Sequence, residues 1–191
     1  MRVAFLALLL SLLAGCVSVE KIDSGDRLIG ERMTITLEGS WNEINSPGLG
    51  PAKVWTMEGL PVNQLLLYSG LNNGEAIHAT TAGGDEKKTF VFRSGMQPDE
   101  IVALFDGMLT RDGSRFSMTK LEPYTFGGSR GFRFEYALTR KVDNAQLSGV
   151  GYGAVSKGQL FALVYMAPRL TFFQRHAARV EQISRSARVK E

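Results

Sequence analysis

Apolar and polar residues alternate along four consecutive segments in the second half of the chain. The segments cover residues 116–126, 131–140, 146–155 and 159–167, and short polar turns join them. In the second segment Phe132, Phe134 and Tyr136 alternate with polar residues, which is typical of an antiparallel strand with one buried face. The pattern therefore predicts a four-stranded β-meander.

Apolar residues at helical spacing predict two helices. The first begins at Pro98 and ends at Gly113, because proline is tolerated at the first helical position and glycine is common at a helix end. The second follows Pro168 and covers residues 169–188, with Phe172, Val180 and Ile183 on its apolar face.

The first half of the mature chain is more broken. Strands are predicted over residues 32–37, 53–58 and 63–70, and a short one over 90–92. Residues 70–89 are polar and glycine-rich and predict a mobile loop. The predicted fold class is α+β, with an antiparallel sheet of about six to seven strands and two main helices packed on it. Residues 31–191 are expected to form this single domain.

The chain begins with Met1-Arg2 and an apolar run, residues 3–13, that is too short to span a bilayer. It continues with Leu13-Ala14-Gly15-Cys16, which resembles the lipobox of bacterial lipoproteins. The resemblance implies a signal peptide over residues 1–15, cleavage between Gly15 and Cys16, and acyl chains on Cys16. Two or three chains suffice for stable anchoring in a membrane.

An ordinary secretory signal followed by a chance cysteine is the alternative. Cys16 is the only cysteine, so it cannot form an intramolecular disulfide, and lipidation would remove a reactive free thiol. Val17 follows it, where an aspartate would favour retention at the inner membrane of enteric-type bacteria. We therefore expect a protein at the outer membrane, on its periplasmic side. Residues 16–30 lack a clear period and are predicted to form a lipidated tether.

Composition describes an ordinary globular domain. The 176 residues that remain after cleavage (191 minus 15) are enough for one core. The precursor has a net charge of +3, with both signs interspersed. The compartment excludes nucleic acid as an expected partner, and the membrane is reached through the lipid on Cys16.

The meander followed by an aromatic helix resembles the PsbP-like fold. That fold is shared by an extrinsic photosystem subunit, a Ran-binding import factor and small bacterial lipoproteins of the DcrB type. The resemblance rests on residues 131–140, 147–155, the Ser156-Lys157-Gly158 turn and the run 160–167 leading into Phe172-Phe173. It implies a scaffold that docks on a larger assembly, and no functional residue of these relatives can be matched here.

No motif for catalysis, metal or a cofactor is recognised. The histidines, His78 and His176, lie in different segments. The glycines of Gly149-Val-Gly151-Tyr-Gly153 lie inside a strand pattern without the lysine of a phosphate loop, and we expect them to permit a bulge or close packing of a helix. The chain is therefore predicted to be no enzyme, with no metal site and no cofactor.

Two functions remain open at this point. The first is docking on an envelope protein, for which the arginines of the last helix are candidate contacts: Arg175, Arg179, Arg185 and Arg188. A solvated helix face is the alternative interpretation of these arginines. The second function is a carrier of an apolar ligand such as lipid, suggested by the phenylalanines of the facing elements, which would also serve as a plain core.

Overall fold

A computed structural model describes residues 17–46, 49–78 and 89–190. The described strands are β1 (Ser18–Ile22), β2 (Gly25–Ile29), β3 (Met33–Leu37), β4 (Trp41–Asn45), β5 (Lys53–Thr56), β6 (Gln64–Leu71), β7 (Arg115–Phe126), β8 (Ser129–Thr139), β9 (Gln146–Ser156), β10 (Gln159–Pro168) and β11 (Arg188–Val189). The helices are α1 (Pro98–Leu109) and α2 (Gln174–Ser186), and a π-helical turn, Arg169–Phe173, leads directly into α2.

Eight of these strands form one antiparallel sheet in the order β1-β4-β5-β6-β10-β9-β8-β7. The other three form a small sheet in the order β11-β3-β2. The predicted meander is confirmed, since β7 to β10 match the four predicted segments to within about two residues. The predicted number of six to seven strands is too low for the main sheet.

The surplus comes from the segment predicted to be a tether. Within residues 16–30, β1 pairs with β4 and β2 pairs with β3, and Ile29 is buried. These partners are 11 to 27 residues away at the paired positions Ile29 with Met33 through Ser18 with Asn45 or nearer, so no local period announces them. The tether prediction is corrected: from Ser18 onward the chain belongs to the domain. Leu13 to Cys16, and residues 79–88 of the predicted loop, lie outside the described residues.

Other element boundaries also shift. Helix α1 ends at Leu109, four residues before Gly113, because Thr110 already leaves helical geometry. The last predicted helix divides into the π-helical turn and α2, and its final residues pair as β11 with β3. The predicted short strand over residues 90–92 is reduced to a single bridge between Ala76 and Val91.

The main sheet is covered on both faces. Helix α1 packs on one face, where Ile101 and Phe105 join the core around Phe134. Helix α2 and the small sheet cover the other, where Val180 joins Trp41, Trp55 and Tyr165. Strand β10 lies between these two cores, which explains why its residues are apolar without alternation. No helix in the described part of the chain is long and apolar enough to span a bilayer.

A ladder of aromatic rings on glycines joins β8 to β9. Phe132 lies opposite Gly153, Phe134 opposite Gly151 and Tyr136 opposite Gly149. A Cβ atom at Gly149 or Gly151 would overlap the ring of the residue opposite it. The glycines thus make room for side chains of the neighbouring strand. The expectation that they permit a bulge or a helix contact is corrected, because the β8–β9 register is unbroken.

We predict that Gly151→Ala lowers the free energy of unfolding by about 1–3 kcal/mol, because the new methyl group forces the Phe134 ring out of its place. Urea denaturation measures this change. Gly95→Ala is the matched control, since no heavy atom lies within 4 Å of a Cβ there and the residue has no left-handed backbone. Equal stability of the two variants would contradict the packing role of the ladder.

Candidate functional site

Following the strand registers across the main sheet sorts its loops into two groups. Ser18 pairs with Asn45 at the end where β6 and β10 meet at Leu71 and Leu160. We call this the Ser18 end; it also carries the turns between β7 and β8 and between β9 and β10. The opposite end carries the β5–β6 loop, the β8–β9 turn and the exit of β10, and we call it the Val142 end.

Three exposed apolar side chains lie on the three loops of the Val142 end. Leu60 is 40% exposed in the β5–β6 loop, Val142 is 83% exposed in the β8–β9 turn, and Leu170 is 77% exposed just after β10. Strands β6, β10 and β9 are neighbours, and adjacent strands lie roughly 4.8 Å apart, so these loops stand side by side. We call the three side chains the apolar tip.

A buried amide fixes the loop that carries Leu60. The side-chain oxygen of Asn63 accepts hydrogen bonds from the Thr56 hydroxyl at 2.6 Å and from the backbone N–H groups of Met57 and Glu58, each at 3.1 Å. Asn63 is 1% exposed, so these bonds have no competing water. They satisfy backbone groups that would otherwise be left without partners where the strand ends.

Arg140 fastens the loop of Val142 to the loop of Leu60. Its Nε and Nη2 donate to the Asp143 carboxylate at 2.9 and 2.6 Å, and its Nη1 donates to the carbonyl oxygen of Pro61 at 3.0 Å. Hydrogen bonding from the Arg140 guanidinium lowers the pKa of Asp143 to about 2. The carboxylate is therefore charged at every physiological pH and stays paired.

Glu58 joins the same loop to the start of α2. Its Oε1 lies 3.0 Å from His176 Nε2 and 3.3 Å from Arg175 Nη1. Hydrogen bonding with His176 is the main reason that the pKa of Glu58 is lowered, and Arg175 adds to it. The Arg175 guanidinium also lies over the Phe172 ring, 5.1 Å from its centroid, which holds the π-helical turn beside Leu170.

Two cations beside the tip are exposed and have no carboxylate of their own. Lys141 precedes Val142 and Arg169 precedes Leu170, and neither side chain forms an ion pair with a described residue. Sequence reasoning missed this site. The available signal was a valine within a polar turn, Lys141-Val142-Asp143-Asn144, where burial cannot explain an apolar residue.

The structure does not bring the four predicted arginines onto one surface. Arg175 and Arg179 contact Glu58 and the Met57 sulfur near the Val142 end. Arg185 pairs with Glu181 at 2.6 Å on an exposed part of α2, and Arg188 lies in β11. Helix α2 separates the first pair from the second by about 20 Å, at 1.5 Å per residue.

Both histidines are buried among described residues. Nδ1 of His78 lies 3.0 Å from Arg111 Nη1, beside the Phe90 ring, and His176 lies against Glu58. Within residues 17–46, 49–78 and 89–190, no group of three histidine, cysteine, aspartate or glutamate side chains is placed to hold a metal ion.

Two open clefts lie nearer the Ser18 end. A cleft of about 440 Å³ is lined by Ser18, Glu43 and Lys53. A second, of about 420 Å³, lies between the start of α1 and β8; Met96, Ile101, Phe132 and Val155 line it together with Arg130. We call the second one the α1 cleft. Its volume is within the range of small-molecule sites.

We predict that Glu58→Gln lowers the thermal midpoint at pH 7 and that the difference from the unsubstituted protein disappears in acid. A carboxylate whose pKa is lowered by folding stabilises the fold above its ordinary pKa, about 4.3, and this contribution is lost as the pH falls through the lower folded value. Thermal melts between pH 7 and pH 3 measure it. Glu181→Gln, which breaks an exposed pair within α2, is the control; an equal or larger effect there would contradict the bridging role of Glu58.

Comparison with known proteins yields one structural likeness. No family model matches the sequence, and no curated protein sequence does. The solution structure of cyanobacterial PsbP (CyanoP) from Synechocystis sp. PCC 6803 superposes with a TM-score of 0.58 and 11% sequence identity, covering 92% of this chain and 95% of that one. At this identity the likeness concerns the fold alone. The expected PsbP-like fold is confirmed: the described domain is a PsbP-like arrangement of one large sheet and two helices.

Proposed function

We propose that the chain is a lipoprotein that is cleaved between Gly15 and Cys16, acylated on Cys16 and held at the periplasmic side of the outer membrane. Its domain serves there as a non-catalytic docking module for another envelope protein. The proposal rests on the lipobox pattern and on the position of β1. Because β1 begins at Ser18, only Val17 separates the lipid-bearing residue from the main sheet.

The packing of the domain supports docking. Both faces of the main sheet are filled by side chains, and the polar groups that cluster are used to join elements. Glu58 with His176 joins a loop to a helix, and Arg133 with Glu122 joins two strands. What the described surface offers to another molecule is the apolar tip with its cations.

The anchoring part of the proposal predicts that fatty-acid label is incorporated into the full chain and lost in Cys16→Ser. Only a thiol at this position can accept the diacylglyceryl group. Metabolic labelling followed by gel analysis measures it. Cys16→Ala serves as a second variant, and label that persists in both would exclude lipidation at this residue.

The docking part predicts a small set of specific protein adducts. Chemical crosslinking of the native, lipidated protein in intact cells is followed by purification and identification of what is attached. We expect one or two envelope proteins. Their recovery should survive detergent extraction of the membrane. Finding no protein adduct under conditions that crosslink other lipoproteins would exclude docking.

The α1 cleft favours a second candidate function, a carrier of an apolar ligand. Met96, Ile101 and Phe132 give it an apolar wall, and Arg130 could face an anionic headgroup at its rim. Mass spectrometry of lipids that remain with the purified soluble domain distinguishes the two functions. A stoichiometric lipid, reduced by Ile101→Gln, would favour the carrier.

A further inference from the structure

We infer that the apolar tip, with Lys141 and Arg169 beside it, is the docking surface, and that its occupant is an acidic protein segment with apolar side chains at its centre. The inference rests on the proposed function and deepens it by naming the surface and the chemistry of the partner.

The anchor and the tip lie at opposite ends of the main sheet. Val17 enters β1 at the Ser18 end, and Cys16 is one residue further, about 3.8 Å in Cα positions. Strand β10 runs the length of the sheet in 10 residues, or roughly 33 Å. A lipid on Cys16 therefore brings the Ser18 end to the membrane surface and points Leu60, Val142 and Leu170 away from it. The occupant of the tip is a protein and not the anchoring bilayer.

The distribution of exposed apolar side chains singles out the tip. Among the described residues, the large apolar side chains that are exposed are Val17, Val19, Leu28, Leu60, Met118, Val142 and Leu170. Val17 and Val19 belong to the segment next to the lipid, while Leu28 and Met118 lie singly on separate strands. Single exposed apolar residues are ordinary, whereas three brought together from separate loops mark an interaction site.

The charge around the tip selects the partner. Residues 57–63, 140–145 and 168–176 contain four cations, Arg140, Lys141, Arg169 and Arg175, and two carboxylates, Glu58 and Asp143. The two carboxylates are already paired with Arg140 and Arg175. Lys141 and Arg169 remain to meet charges on another molecule. Opposite charges across an interface accelerate association and exclude partners of the wrong sign, so the complementary surface is acidic.

The loops are also held in place before any partner arrives. Asn63 fixes the loop of Leu60, Arg140 joins it to the loop of Val142, and Glu58 joins it to the turn that carries Leu170. A surface whose loops are already ordered loses less conformational entropy on binding. This order distinguishes the tip from a flexible surface loop.

The test uses the full, lipidated chain in intact cells with a photoreactive amino acid at single positions. Val142 and Leu170 are the tip positions, and Leu28 and Met118 are the matched controls, since both are exposed apolar residues elsewhere. We expect the two tip positions to crosslink to the same protein, within a segment rich in Asp and Glu around apolar residues. The controls should give no such adduct.

The charge is tested by the double substitution Lys141→Glu and Arg169→Glu, with the photoreactive group kept at Val142. We expect the adduct to fall by roughly tenfold or more, as for central contacts of an interface. Both side chains are exposed, so the variant is expected to fold, and its thermal midpoint verifies this. An unchanged adduct, an adduct to lipid only, or equal adducts from Leu28 would overturn the inference.

The outcome is separable from that of the proposed function. Adducts to an envelope protein from Leu28 or Met118, with none from the tip, would leave docking in place and exclude this surface. Loss of fatty-acid label from the unsubstituted chain would exclude the anchored orientation, whichever position crosslinks.

Discussion

The packing of aromatic rings onto glycines between β8 and β9 sets the arrangement of the whole domain. With no side chains at Gly149, Gly151 and Gly153 on that face, the rings opposite them lie close against the β9 backbone. Phe105 of α1 then stacks on Phe134, with ring centroids 5.9 Å apart, which positions the helix on the sheet. The opposite face of β9 keeps Val150 and Tyr152 for the core beneath α2. One strand thereby joins two cores, a thin spacer on one side and a packed surface on the other.

The parts of this fold that are visible in the sequence are those with strong local patterns. Alternation in β8 and the uninterrupted apolar run of β10 define the meander, and Pro98 with its acidic neighbours defines the start of α1. Strands β1, β2 and β4 were missed because their structure comes from pairing and not from their own composition. Ser18, for example, is ordered by Asn45, which precedes a Pro- and Gly-rich loop. The three-stranded sheet further depends on β11, only two residues long, which looks from the sequence like the end of a helix.

The candidate site could be predicted even less. Leu60, Val142 and Leu170 are separated by up to 110 residues (170 minus 60) and are unremarkable one by one. Only the strand order β6-β10-β9 brings their loops together. Conversely, the arginines of the last helix look like one basic face in the sequence, but Arg175 and Arg179 are used to hold the β5–β6 loop. The likeness to CyanoP concerns the framework, and function in such scaffolds belongs to the loops that the framework presents.

The short connection between Cys16 and β1 has a consequence for how a partner is found. A lipoprotein with a long flexible linker samples a wide volume above its membrane, and its effective concentration at any one point falls as the linker grows. With Val17 alone between lipid and sheet, the tip would instead be confined to a thin layer at a nearly constant height. The search for a partner would then take place in two dimensions, and only surfaces displayed in that layer could be reached. A change in the number of residues before β1 would alter which surfaces those are, while leaving every contact within the domain as it is.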